Sequence, residues 1–232
     1  MGYVEVKIKE DIAFVSIKRP RGNLINRTLL RDLNKALSKI DVSVIKGLII
    51  TGSGSTFSNG GDLKEVARLT CNNAKDFSKL GQETFLQLSR IDRPCIAAIN
   101  GTAIGPGLEL ALACDIRLAT PNAVFQHPEK AIGLYPCFGG SVRLTKIIGR
   151  AAANKLINSS RRLTAAEAHQ EGLIDYIVDE KNLLFEAQRA IHTDEVSKPK
   201  FRKEDFMEER EAFARCFSDI DLRRKLRKIA KI

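Results

Sequence analysis

Between Pro94 and Cys114 the chain carries only Asn100, Thr102 and Glu109 as polar side chains. A stretch this apolar is driven out of water, into lipid or into a protein core. Gly101, Gly105, Pro106 and Gly107 break it into two pieces, one of strand length and one of helix length, and neither is long enough to span a bilayer. The expectation is a buried strand at 95–99, a loop from Asn100 to Gly107 and a buried helix from Leu108 to Cys114.

The same order recurs along the chain. Gly47-Leu-Ile-Ile-Thr51 is a short apolar run ending in Gly52-Ser-Gly54, and Ile116-Arg-Leu-Ala119 with Ala123-Val-Phe125 leads through a further loop to a helix from about Gly140 to Ile148. Buried strands that alternate with helices predict an α/β protein. At the start, Val4, Val6 and Ile8 alternate with charged residues, and Glu10-Asp11 precedes the run 12–17, which reads as a β-hairpin. Leu29, Leu30, Leu33, Ala36, Leu37 and Ile40 recur at helical spacing. Thr164 followed by Glu167 predicts a capping box at a helix start. From about Asn182 onward the pattern is helical and polar with no further strand. The expected organisation is an α/β core over 1–180 and a helical C-terminal region over 181–232.

Of the 232 residues, 44% are hydrophobic and 28% charged, which supports a real core and excludes a disordered, collagen-like or disulfide-scaffold chain. Cys71, Cys95, Cys114, Cys137 and Cys216 are odd in number and form no C-x-x-C pair, so neither a disulfide framework nor a zinc site is expected, and a reducing, cytoplasmic setting is. The N-terminal MGYVEVKIKE carries charge where a signal peptide needs an apolar stretch, so residue 1 is read as part of the fold. The net charge is +10, and half of that excess lies from Lys198 onward, where twelve Lys and Arg face seven Asp and Glu. A basic end attracts nucleic acid, an anionic small molecule or an acidic surface, and charge alone does not choose among them.

Two glycine-bearing loops follow buried strands, Ser55 to Glu65 and Asn100 to Leu110. Glycine permits close backbone approach to a ligand, and a helix start aims N–H groups at it. Neither loop matches G-x-x-x-x-G-K-[ST], and the second is not G-x-G-x-x-G, so phosphate-loop and dinucleotide readings fail. Two carboxylates have apolar surroundings: Glu109 within Leu108-Glu-Leu-Ala-Leu-Ala-Cys114, and Glu129 between Phe125-Gln-His-Pro128 and Ala131-Ile132-Gly133. Desolvation raises a carboxyl pKa toward neutrality, as acid/base work at cellular pH requires. The ordinary alternatives are a buried glutamate satisfied by backbone donors and a solvated residue at a helix start.

Gly-Thr-Ala-Ile-Gly-Pro-Gly-Leu-Glu-Leu-Ala-Leu-Ala-Cys-Asp (101–115), Phe-Gln-His-Pro-Glu (125–129) with Gly133-Leu-Tyr-Pro136 and Gly139-Gly140, and Phe-Ser-Asn-Gly-Gly-Asp-Leu-Lys-Glu (57–65) together resemble the enoyl-CoA hydratase/isomerase, or crotonase, family. Arg19-Pro20, Asn23-Leu-Ile-Asn26, Leu163-Thr-Ala-Ala-Glu-Ala168 and Gly172-Leu-Ile-Asp175 extend the resemblance over nearly the whole chain. It implies a crotonase-like spiral of repeated β-β-α units with a helical C-terminal extension that serves oligomerisation and part of the acyl-CoA site. It further implies a homotrimer or dimer of trimers, and an acyl-CoA thioester substrate whose coenzyme A makes a separate cofactor unnecessary. Glu109 and Glu129 match the two catalytic glutamates of the hydratases, with the Glu129 position giving the proton to the α-carbon. Asn23, Leu24, Gly60, Asp62, Leu63 and Phe138 match substrate-binding positions. The implied activity is syn addition of water to a 2-trans-enoyl-CoA in fatty-acid or related acyl-CoA metabolism.

By the same matching, the oxyanion donors are the N–H of Gly61 and the N–H of residue 106, but Pro106 has none. Three outcomes stay open: Gly107 supplies the donor, the reaction proceeds slowly on Gly61 and the helix dipole, or hydration is not the function. His127 stands where glutamine is common and either hydrogen-bonds Glu129 or is a loop histidine without a role; Phe138 either narrows the acyl pocket or packs. The stretch between Ile177 and Phe213 is shorter than is usual in the family. Two alternatives accompany the hydratase: an enoyl-CoA isomerase, and a weakly catalytic crotonase-fold protein whose basic tail binds RNA. Against the last, Phe201, Phe206, Phe213 and Phe217 are spaced as a helix core stripe, while Lys225 and Lys228 serve a coenzyme's phosphates equally well.

Overall fold

The computed structural model describes residues 2–193 and 201–232. Lys198 and Lys200, counted in the basic tail, lie outside the described residues.

The chain opens with an antiparallel hairpin, β1 (Val4–Lys9) and β2 (Ile12–Ile17), joined through Glu10 and Asp11 at positive φ. Helix α1 (Arg27–Leu37) follows, its first turn capped by Asn26 and its Leu29, Leu30, Leu33 and Leu37 stripe buried. Three strand pairs then step between two sheets: β3 (Gly47–Gly52) to β4 (Thr56–Ser58), β5 (Cys95–Ile99) to β6 (Thr102–Ile104), and β7 (Ile116–Ala119) to β8 (Val124–Gln126). The first strand of each pair joins a six-stranded sheet of order β1-β2-β3-β5-β7-β10, and the second joins a four-stranded sheet of order β4-β6-β8-β9. Here β9 is Arg162–Thr164 and β10 is Tyr176–Ile177. Apart from the β1–β2 and β8–β9 pairs the ladders are parallel. The result is the expected β-β-α spiral.

The helices of the spiral are α2 (Leu63–Val66), α3 (Cys71–Ser89), α4 (Pro106–Ala111), α5 (Gly140–Ile148), α6 (Arg150–Ser159) and α7 (Ala165–Gln170). Every residue of β5 is buried, as a parallel strand covered on both faces requires. The apolar stretch that follows divides as expected, with three differences: the loop from Asn100 contains β6, the helix begins at Pro106 rather than Leu108, and it ends at Ala111 rather than Cys114. Among the described residues no helix is long and apolar enough to cross a membrane. The Thr164–Glu167 capping box forms, with both reciprocal hydrogen bonds present.

Beyond residue 180, α8 (Leu183–Thr193) lays Leu183, Ala187, Ala190 and Ile191 on the outer face of the six-stranded sheet, against Ile12, Ile49 and Ile96. Helix α9 (Met207–Cys216) packs along α3, and α10 (Ile220–Ala230) packs over α2. The four tail phenylalanines are buried, but not in one helical stripe. Phe201 and Phe206 precede α9 and stack on each other with centroids 5.8 Å apart, whereas Phe213 and Phe217 join the main core. Two short segments bend differently there because Phe206 lies in a 3-10 turn.

Candidate active site

Where the second-sheet strands end, a cavity of about 190 Å³ opens. Gly60, Gly61 and Leu63 form one wall, Gly105 and Pro106 the next, and Pro128 and Glu129 a third, while Val66, Phe77, Cys137 and Phe213 line its buried part. Asn100 ties the two glycine loops together: its amide nitrogen donates to the carbonyls of Gly52 and Gly54, and its oxygen accepts from the Gly52 N–H. A larger, more open groove of about 490 Å³ runs beside β10 and α8, but its charged residues, Asp179, Glu186 and Arg189, are not buried. The chemistry lies in the smaller cavity's neighbourhood.

Glu109 sits mid-way along α4 between Leu108 and Leu110 and is fully buried. Its Oε1 accepts hydrogen bonds from the N–H groups of Phe138 (2.8 Å) and Gly140 (2.7 Å), while its Oε2 finds no partner among the described residues. Such an approach requires glycine at 140, because a Cβ there would lie 2.7 Å from Oε1. Burial raises the Glu109 pKa to about 8, helped by the carboxylates of Glu209 and Glu129. At neutral pH this carboxyl keeps its proton.

Glu129 starts a short 3-10 turn after β8 and is 7% exposed. Its Oε2 lies 3.2 Å from His127 Nδ1, and its Oε1 is buried without a partner, lying against Gly105. Gly105 has φ +47°, and a Cβ there would meet that oxygen at 2.5 Å, so this position admits only glycine. Burial pushes the His127 imidazole pKa down, but the adjacent Glu129, with Glu109 and Glu209 behind it, outweighs burial and raises it. Glu109 Oε2, Glu129 Oε1 and His127 Nε2 thus stand buried with no partner among the described residues, as do Nε and Nη2 of Arg143 behind Phe138, and of these residues Glu129 is the one on the cavity lining. Native proteins hold few such atoms, and a cluster of them beside a cavity marks a place built for a polar guest.

The remaining sequence-selected residues divide. Ile25 donates to the Gly60 carbonyl and accepts from the Asp62 N–H, leaving the Gly61 N–H between them on the cavity wall with no acceptor among the described residues. Pro106, on the adjoining wall, offers no donor; Gly107 is backed against Ser58, where a Cβ would lie 2.7 Å from its neighbours, and does not line the cavity. Gly60 and Leu63 line it; Asp62 instead caps α2 and pairs with Arg19 at 2.6 Å. Asn23, at φ +54°, spends its amide on the carbonyls of Ser53 and Thr56, and the half-buried Leu24 gives its carbonyl to Arg19. Phe138 packs rather than narrowing the pocket: its ring sits in the core 5.1 Å from Phe77 and 5.6 Å from Phe85, and only its N–H reaches the site. The rings that line the cavity are those of Phe77, Tyr135 and Phe213.

The sequence and the fold have known counterparts. A family model described as enoyl-CoA hydratase/isomerase matches residues 7–214. The chain belongs to the enoyl-CoA hydratase/isomerase family. It is 36% identical over 184 residues to a crotonyl-CoA hydratase of Syntrophomonas wolfei, covering 78% of this chain and 71% of that one. It is 35% identical to a short-chain-enoyl-CoA hydratase of Clostridium acetobutylicum, covering 75% of this chain and 67% of the other. The crystal structure of an enoyl-CoA hydratase from Thermoplasma volcanium superposes with a TM-score of 0.79 at 31% identity, covering 98% of this chain and 97% of that one. Family membership makes the crotonase spiral the expected frame for the paired glutamates.

Sequence reasoning passed over several residues of this family member's site. Phe77 and Phe213 line the cavity, Arg143 is wholly buried beside Phe138, and Glu209 bonds to the turn that holds Glu109. Phe77 lies on α3, a helix whose polar residues and internal Gly81 mask its period. Glu209 stands in a run of charges, Glu208-Glu209-Arg210-Glu211, where no local signal separates it from solvated neighbours.

Proposed function

We propose that this chain is an enoyl-CoA hydratase that adds water across the double bond of a 2-trans-enoyl-CoA. The observation that carries the reading is the pair of buried carboxylates, each anchored through one oxygen and with the other left unpartnered. Two such oxygens can hold one water. As its oxygen bonds to the β-carbon, one carboxylate takes the water's proton while the other gives a proton to the α-carbon, so the pair begins and ends with a single proton. The resemblance gives the donor role to Glu129, whereas burial favours the proton on Glu109. One transfer across the bridging water interconverts the two, so the donor role belongs to the pair. Negative charge gathers meanwhile on the thioester oxygen, where Gly61 offers its free N–H and Pro106 offers none.

The reading is supported by relatives named as crotonyl-CoA and short-chain-enoyl-CoA hydratases. Burial of the tail phenylalanines leaves no aromatic stacking surface on Phe201, Phe206, Phe213 or Phe217 for RNA. The homotrimer and the cytoplasmic setting belong to the same proposal, supported by the exposed apolar residues Tyr176, Leu184 and Phe185 and by five free cysteines. The deciding experiment follows crotonyl-CoA hydration and 3-enoyl-CoA isomerisation by the wild type, Glu109→Gln and Glu129→Gln. Each variant is expected to lose about 10²–10⁴-fold in hydration, the usual worth of a positioned acid or base. Full activity in both would sink the reading, and isomerisation without hydration would replace it.

A further inference from the structure

The backbone N–H groups of four consecutive residues at the start of α5, and one side-chain hydroxyl, are divided between two buried carboxylates. Phe138 and Gly140 donate to Glu109, whereas Gly139 (2.5 Å) and Ser141 (2.8 Å) donate to Glu209, which also takes the Ser141 hydroxyl at 2.5 Å. Successive N–H groups in this turn point to opposite sides, so one carboxylate cannot be moved without turning the peptides that hold the other. Glu209 is itself 3% exposed and comes from α9, some seventy residues away in sequence. Gln82 on α3 fixes it from behind, donating to Glu209 (3.3 Å) and to the Phe206 carbonyl, while Arg210 clamps the Gln82 oxygen at 2.7 and 3.0 Å.

We propose that Glu209 is a positioning residue for hydration: it locks the 138–141 turn so that Glu109 is held in place, and its charge governs where the proton of the Glu109–Glu129 pair resides. This rests on the hydratase reading. Glu209 touches no substrate. A carboxylate satisfied by this turn alone needs no second anion on the other side of the same four residues, yet the chain brings one in from a distant helix. The titratable and charged groups around Glu109 are Glu209 from α9, Glu129 and His127 after β8, Cys137 before α5, and Arg143 on α5. Arg143 donates to the Phe138 carbonyl at 2.9 Å and lies over the rings of Phe206 and Phe201, 4.8 and 5.4 Å from their centroids. Burial lowers its pKa to about 10, so it remains a cation at neutral pH. After burial itself, Glu209 is the largest influence raising Glu109, ahead of Glu129.

The test compares Glu209→Gln and Glu209→Asp with wild type in two readouts. The first is the pH profile of kcat and KM with crotonyl-CoA; the second is the titration of the Glu109 carboxyl carbon by NMR of ¹³C-glutamate-labelled protein, assigned by its loss in Glu109→Gln. Glu209→Gln is expected to lower kcat by about 10-fold or more with KM little changed, because misplacement of a reacting group costs rate before affinity. Its Glu109 titration, and the limb of the profile that follows it, is expected to move to lower pH by roughly half a unit or more as the neighbouring negative charge is removed. Glu209→Asp keeps the charge but shortens the reach, so kcat falls while the titration stays near the wild-type position. An unmoved titration in Glu209→Gln overturns the charge role, and wild-type kcat in Glu209→Asp overturns the positioning role. Should Glu209→Gln fail to fold, Ser141→Ala removes one of its donors, and an unchanged kcat there refutes the lock. A wild type that hydrates no enoyl-CoA would defeat the hydratase reading alone, since the NMR titration still reports whether Glu209 governs Glu109.

Discussion

Pro106 makes the sharpest demand on the proposed chemistry. Substituting it by glycine or alanine returns an N–H to the cavity wall beside Gly61, the free donor already there. One such donor aimed at a developing oxyanion is worth about 2.7–4 kcal/mol, or ~10²–10³ in kcat. The structure argues for less than the full amount. The proline ring reaches to 3.5 Å from a Cβ built on Gly61, so it shields that donor from water, and removing it admits solvent that weakens both hydrogen bonds. The expected gain in kcat/KM for crotonyl-CoA is therefore roughly 10- to 100-fold, below the full worth of such a donor. Proline is at home in the first helical turn, and its loss should cost about 0.4–1 kcal/mol of stability through the unfolded chain. For a chain of this size that is a fall in Tm of roughly 1–4 °C. Initial rates, read from the loss of the conjugated thioester's absorbance, decide the matter. Equal or lower kcat/KM in both folded variants would refute the reasoning, and a gain in glycine alone would trace it to removal of the Cβ and not to the missing donor.

Two further outcomes follow from the Glu109 environment. Gly140→Ala places a Cβ 2.7 Å from Glu109 Oε1 and 2.8 Å from its Cγ. It is expected to displace that carboxylate and lower kcat about 100-fold in a folded protein, and wild-type kcat would show that its anchorage is dispensable. Stability should also depend on pH through this group. The folded pKa of about 8 lies above the ordinary 4.5, so the native state retains a proton that the unfolded chain has released, and stability is lost as pH rises through that window. Glu109→Gln removes the liability, so its Tm should gain on wild type between those pH values; parallel Tm curves would contradict the assignment.

The sequence made the first sheet readable and hid most of the second. β3, β5 and β7 are apolar runs ended by turn signals, and the α1 leucines repeat at helical spacing, so physics local to each segment decides them. β4, β6, β8 and β9 are each three residues long, too short for alternation to register, and β6 lay inside what reads as a loop. In the site, Glu109 was legible because a charge in an apolar run is conspicuous, and Pro106 because it lacks a donor where one is needed. Glu209 was not, since only tertiary contact distinguishes it from Glu208 and Glu211. The division of the chain near residue 180 is a difference of pattern, while in space α8 and α9 return to cover the sheet and to brace the catalytic turn.

The start of α5 is the kind of place where helices commonly capture phosphate. Here it is already filled from within, because the protein's own two carboxylates occupy its donors. On the hydratase reading, a coenzyme's phosphates find no free donors at this turn and would fall to the lysines and arginines of the surface. Dissolved ions screen those outer charges, while the buried cluster lies largely beyond their reach. Capture of the substrate and its conversion are therefore insulated from each other: the medium tunes the first and leaves the second to the fold.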